Sequence, residues 1–211
     1  MELSHDLNTC FHLGALPLAE NNKVYNASLL ITPDKKEPLI IYKKIHLFDL
    51  DLKNLKIKES DEFSPGVTPS TYTFRGWKFG FAICYDLRFP ELFYYYAQEK
   101  VDVLFTPAAF TVPTGEAHWD YLTTTRAIET QSYVIAAGQT GTVRKNGKSR
   151  SSYGHSVIID PWGEKLAQGQ GPEPQLLRAT LNKEKISSVR KSMPISEHRR
   201  LQTSFVDLKK K

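Results

Sequence analysis

The sequence predicts an α/β layered fold, and three observations carry that reading. Short β-rich runs alternate with helical patterns along the chain. Several of those runs are apolar on both faces, as strands buried between layers are. Turn chemistry separates them: Pro33-Asp34, Ser64-Pro65-Gly66, Arg75-Gly76, Asn146-Gly147 and Pro161-Trp162-Gly163. A length of 211 residues suits one domain spanning 1–211 with a substantial core, and no long linker, internal repeat or low-complexity segment divides it.

In chain order, strands are predicted at Phe11–Leu16, Tyr25–Ile31 and Leu39–Tyr42, then at Ser70–Phe74 and Lys78–Ile83. In the last of these Phe79, Phe81 and Ile83 alternate with small residues, the period of a buried strand. The pattern breaks at Asp86, Arg88 and Pro90, and the apolar run Leu92–Ala97 opens a helix over Glu91–Glu99. Its aromatics Phe93-Tyr94-Tyr95-Tyr96 fit either the core or a helix interface. A strand at Val101–Phe105 follows, then a helix over Glu116–Ile128, with Thr114 as N-cap and with Arg126 and Glu129 spaced to pair. Strands at Tyr133–Gly138, His155–Asp160 and Gln175–Thr180 and a helix over Lys183–Lys191 complete the set.

Composition excludes several classes. The formal charge of +5 sits mainly in the Arg144–Arg150 loop and in the last 29 residues, which end in Lys209-Lys210-Lys211. Charge clusters in loops and tails are solvated surface, and no aromatic RNA-binding motif or basic helix accompanies them, so no nucleic-acid partner is expected. No apolar run approaches the roughly 18–20 residues of a membrane span, and Met1–Asp6 lacks the pattern of a signal peptide. Two cysteines, Cys10 and Cys84, are too few for a disulfide framework, which points to a reducing cytoplasm. No residue cluster has metal-ligand spacing and the glycines follow no phosphate-loop pattern, so no cofactor is expected.

Candidate chemistry starts from Cys84 in GFAICYDLRFPEL, where a strand turns into a helix. Helix N–H groups at such a turn favour a thiolate, although a lone cysteine is more often packing. Upstream, IIYKKIHLFD runs from a strand into paired lysines. Alternation sends Lys43 and Lys44 to opposite faces, so at most one faces inward, where it would lower a thiol's pKa or stabilise an oxyanion. His46 offers a Cys–His dyad instead. One acid of the run Glu59–Glu62 could turn inward to orient the lysine. Arg88 is a candidate for a substrate carboxylate or for a pair with Asp86 or Glu91.

YKKIHLFDLDL, KESDEFSPG, GFAICYDLRFPEL, FTPAAF, TGEAHWDYLTTTRAIETQSYV and YGHSVIIDPWGE resemble, in order and in register, successive blocks of the nitrilase superfamily of carbon–nitrogen hydrolases. The branch with omega-amidase and deaminated-glutathione amidase is the most similar in style. The resemblance implies an αββα sandwich and hydrolysis of a small carboxylate-bearing amide, with release of ammonia. It implies that Cys84 is the nucleophile, forming a thioester, that Lys44 stabilises the tetrahedral intermediate, and that Glu59 positions the lysine. The Tyr85 N–H becomes an oxyanion donor, and Ala109 and Phe110 a wall of the substrate pocket. A homodimer or larger homo-oligomer is implied as well. The sequence departs from the family at the third triad member: the base glutamate precedes the lysine by roughly seventy residues, which falls before Met1. The expectation is therefore an N-terminally truncated domain, the C-terminal three quarters of the usual one, weak or inactive as an amidase. The alternative is a non-catalytic remnant that keeps the fold for assembly or small-molecule binding.

Overall fold

The computed structural model describes residues 1–52, 55–145, 148–171 and 173–201. The Asn146-Gly147 turn and the basic end Lys209–Lys211 lie outside the described residues. A short helix α1 (Glu2–Asp6) leads into β1 (Phe11–Glu20), β2 (Lys23–Ile31) and β3 (Leu39–Lys43), which pair antiparallel in that order as a three-stranded sheet. A ribbon of β4 (Asp49–Leu52) and β5 (Leu55–Lys58) and a 3-10 turn at Glu59–Asp61 follow. The second sheet is built from β6 (Thr71–Phe74), β7 (Trp77–Phe81), then, after a 3-10 turn at Cys84–Arg88 and helix α2 (Pro90–Gln98), β8 (Val103–Phe105). Helix α3 (Val112–Thr130) returns the chain to β9 (Tyr133–Ala136). A polar ribbon of β10 (Thr140–Lys145) and β11 (Lys148–Tyr153) precedes β12 (Val157–Ile159) and β13 (Lys165–Gln168). Helices α4 (Lys183–Ser192) and α5 (Ile195–His198) end the described chain.

The six-stranded sheet has the order β13-β12-β9-β8-β7-β6, with β7, β8 and β9 parallel and the outer pairs antiparallel. Parallel neighbours need crossovers, and α2 and α3 supply them. Side-chain alternation then decides the layers. Leu104, Val134 and Ala136 face the helices, packing with Leu92, Phe93, Tyr96, Trp119 and Ala127. Phe79, Phe81 and Phe105 face the other way, onto Leu30 and Tyr42 of the three-stranded sheet, with α4 adding Ile186 against Val103 and Tyr133 on the same side. The result is a helix–sheet–sheet layering, an α/β layered fold as the strand pattern predicts, with the stacked sheets that the family resemblance implies.

Differences from the expected elements have local causes. The 112–130 helix begins four residues before Glu116, with Thr111 rather than Thr114 at its N-cap position and Pro113 in its first turn, where proline's missing N–H costs no bond. Gln175–Thr180 forms no strand and joins no sheet; Gln175 bonds back to Gln170 through both ends of its amide. Phe93 and Tyr96 enter the core while Tyr94 and Tyr95 stay half-buried. The Arg126–Glu129 pair forms at 2.6 Å, and Arg126 also donates from Nε and from a terminal nitrogen to Leu87 O, at 2.9 and 2.7 Å. Helix α3 thereby anchors the turn that carries Cys84. Among the described residues no helix is long and apolar enough to cross a membrane.

Candidate active site

Cys84 follows the carboxyl end of β7, the 106–110 loop that of β8, and Gly138 that of β9, so the site occupies the end of the parallel strands where α/β sheets place their ligands. Cys84 has φ +51°, a left-handed conformation that side-chain-bearing residues adopt at a cost of about 1–3 kcal/mol. Its N–H donates to Pro107 O at 2.9 Å, which fastens the turn to the neighbouring loop. The half-buried thiol lies against the core and lines a wide open groove of about 1980 Å³.

Lys44 leaves the end of β3 and points into the same groove. Its backbone is held on both sides, its N–H by Asn26 O at 2.8 Å and its carbonyl by the Gly66 N–H at 2.7 Å. The approach of Gly66 is so close that a Cβ there would lie 2.1 Å from Lys43 O. Lys44 is 2 % exposed, and its Nζ meets Glu59 Oε2 at 2.5 Å. The same oxygen accepts from Phe48 N–H at 2.6 Å, and Oε1 accepts from Asn26 Nδ2 at 3.2 Å. Lys43 turns the other way, to Glu20 and the ring of Tyr25. One lysine faces in, as alternation requires.

His46 forms no dyad with the cysteine. Its Nδ1 donates to Asp86 at 2.7 Å, its ring stacks on Phe89, and it lines neither the groove nor the small pocket beside Cys84. Arg88 pairs with neither Asp86 nor Glu91. It faces His118 Nδ1 at 3.3 Å and lies over the rings of Tyr85 and Phe110, lining that small pocket with Cys84, Tyr85, Ala109 and Phe110. Tyr85 sits in the first turn of the 3-10 helix, whose leading N–H groups have no partner inside the helix. Sequence reasoning gives no site role to Asp86 or His12. His12 lines the groove with an unbonded Nε2, and burial pushes its pKa down to about 4, leaving a neutral imidazole. Nothing in its surrounding HLGAL run marks it out. Among the described residues no group of three or more His, Cys, Asp or Glu is placed to hold a metal.

The thiol departs from expectation in one respect. Burial pushes the Cys84 pKa up; Lys44 and the Ala109 N–H pull it down by less, while Glu59 and Asp86 add to the rise. The resting group is therefore the neutral thiol, because desolvation of a thiolate outweighs one nearby ammonium. Alkylation by iodoacetamide, which needs the thiolate, should be slow at Cys84 at neutral pH and should climb through a midpoint above the ordinary thiol range. A midpoint below that range in a site-resolved mass measurement would show that Lys44 outweighs burial.

The carbon-nitrogen hydrolase family matches over residues 1–191. The chain belongs to that family. Deaminated glutathione amidase of Synechocystis is 42% identical over 187 residues, covering 85% of this chain and 65% of that protein. Human omega-amidase NIT2 is 36% identical over 198 residues, covering 93% and 70%. The chain thus spans about two thirds of the length of these relatives. The C. elegans NitFhit protein superposes with a TM-score of 0.82 at 35% identity, over 94% of this chain and 48% of that one. Saccharomyces cerevisiae Nit3 gives 0.78 at 32%, over 95% and 69%. In this carbon–nitrogen hydrolase the buried Lys44–Glu59 pair and Cys84 come from three separate segments and meet in one groove.

Proposed function

We propose that the chain is an amidohydrolase acting on a small amide that bears a carboxylate, through a thioester on Cys84. The observation that carries this reading is a buried ammonium, fixed by Glu59, that shares one groove with a thiol held in a strained turn. Both relatives described above are amidases by name.

In acylation the Cys84 sulfur attacks the amide carbon as its proton leaves, and the carbonyl π electrons move onto oxygen. Lys44 and the Tyr85 N–H face that oxyanion. The tetrahedral intermediate collapses as the C–N bond breaks, and the amine takes up the proton and departs as ammonia. Water then attacks the thioester; the C–S bond breaks, giving the carboxylic acid and the free thiol. Arg88, which has no carboxylate partner among the described residues, holds the substrate's carboxylate between the walls formed by Phe110 and Ala109.

Turnover is slow in this chain. The thiol starts protonated, so a base must accept its proton, and a second must activate water. Among the described residues, the groups lining the groove that could take a proton are Glu59, Glu62 and His12; Glu59 already carries Lys44, Phe48 N–H and Asn26, and burial makes His12 a weak base, with its pKa pushed down to about 4. A positioned acid–base group contributes about 10²–10⁴-fold. This same shortage favours the second reading, a fold kept for assembly or binding.

The test is a dicarboxylic acid monoamide mixed with the 211-residue chain. About one equivalent of ammonia per chain should appear, with an acyl adduct on Cys84 in the intact mass, followed by much slower release. A neutral amide of the same length should acylate less. Absence of both ammonia and adduct would favour the binding remnant, and rapid multiple turnover would overturn the slow-turnover claim.

A further inference from the structure

We propose that Asp86 is a positioning residue that holds Lys44 in register with Cys84, through a clamp formed with Tyr42 and His46. The chemistry it serves is the thiol reaction proposed above, and the inference rests on that reading.

Asp86 has no exposed surface, and its two oxygens take four hydrogen bonds. Oδ1 accepts from the His46 N–H at 3.0 Å and from His46 Nδ1 at 2.7 Å. Oδ2 accepts from the Tyr42 hydroxyl at 2.8 Å and from the Ile83 N–H at 2.8 Å. Tyr42 and His46 stand two residues before and two residues after Lys44, while Ile83 is the residue before Cys84. One carboxylate therefore grips the lysine segment on both sides and the cysteine turn at its entry. The grip is stiffened from outside: the His46 ring stacks on Phe89 at 3.7 Å and 4°, and the Tyr42 hydroxyl also accepts from the Ile45 N–H at 3.3 Å.

Charge alone does not account for a carboxylate at this place. The negative charges facing the thiol are those of Glu59 and Asp86, and both oppose its ionisation; Lys44 is the cation that favours it. A buried acid that works against the nucleophile beside it is explained by geometry. Only a carboxylate of this size accepts four bonds at once, since an asparagine would turn an NH₂ towards one pair of donors.

The opposite signs make the proposal testable. If Asp86 acted only as a charge, Asp86→Asn would lower the Cys84 pKa. If it acts by holding Lys44, the same change lets the ammonium drift and raises it. The experiment follows iodoacetamide alkylation of the whole chain against pH, resolved by site, with Cys10 as internal reference, in Asp86→Asn, Tyr42→Phe, Lys44→Met and the two double variants with Lys44→Met. The expected result is an upward shift of the Cys84 midpoint in Asp86→Asn and about tenfold slower labelling at fixed pH, with Cys10 unchanged. Tyr42→Phe keeps the charge and removes one hydroxyl, so it should shift the midpoint the same way by less. Lys44→Met should slow labelling in the parent and change little once Asp86 is replaced. A falling or unmoved midpoint, or an equal Lys44→Met effect in both backgrounds, overturns the proposal. Should Asp86→Asn fail to fold, as a thermal melt would show, the Tyr42→Phe cycle decides the question by the same two criteria. Ammonia release is not read in this experiment, so a failed amidase reading shows itself separately.

Discussion

Lys44→Met should slow acylation of Cys84 by about 10²–10³-fold, the usual loss when one oxyanion-stabilising group is removed. It should also weaken the fold, for a different reason. Lys44 and Glu59 are both largely shielded, with side chains 3% and 12% exposed. Methionine matches the lysine's length but leaves the Glu59 carboxylate buried with Phe48 N–H and Asn26 as its remaining partners. Breaking one side of a buried pair costs about 3–5 kcal/mol, reduced here by those two bonds. Adding Glu59→Gln should return much of the stability, because no uncompensated charge then remains, and none of the rate. Acylation followed by intact mass and unfolding followed in urea separate the two effects. A double variant that regained reactivity would remove Lys44 from the chemistry.

The second large effect is at Cys84 itself, where side chain and backbone pull in opposite directions. Cys84→Gly and Cys84→Val should both abolish thioester formation outright. Their stabilities should diverge. Glycine occupies φ +51° without strain, so the relief of about 1 kcal/mol offsets the lost packing of a half-buried thiol and the higher entropy of the unfolded chain. Valine is β-branched and is a genuine outlier at positive φ, so it should lose about 2 kcal/mol or more. Denaturation midpoints of the two proteins provide the comparison. Equal stabilities would mean that the turn is not strained.

The sheet core was legible because its strands announce themselves twice, by period and by apolar faces. Phe79, Phe81 and Ile83 had the alternation, and they do sit between the sheets. The ribbons were not legible: β10 and β11 are polar, with residues 141–144 exposed, and they are held by pairing with each other rather than by burial. At the site, the resemblance is what singled out Cys84, Lys44 and Glu59, and the structure places all three along one groove. The resemblance is silent on proton affinity, since desolvation depends on everything packed around the sulfur. The clamp that Asp86 forms escaped notice because its partners are scattered, forty residues upstream at His46 and forty-four at Tyr42. A lone aspartate beside a cysteine gives no hint that it bridges them.

Cys84 leaves one sheet and Lys44 the other, which has a consequence for biosynthesis. The three-stranded sheet leaves the ribosome ahead of residues 77–136 and must wait for them before it has a surface to dock on. Until the two sheets close, no nascent or half-melted form of the chain brings ammonium and sulfur together. Such a form carries an ordinary thiol, without the burial that raises the Cys84 pKa in the folded chain. The pairing of ammonium with sulfur and the shift in the thiol's proton affinity therefore arrive together, when folding is complete.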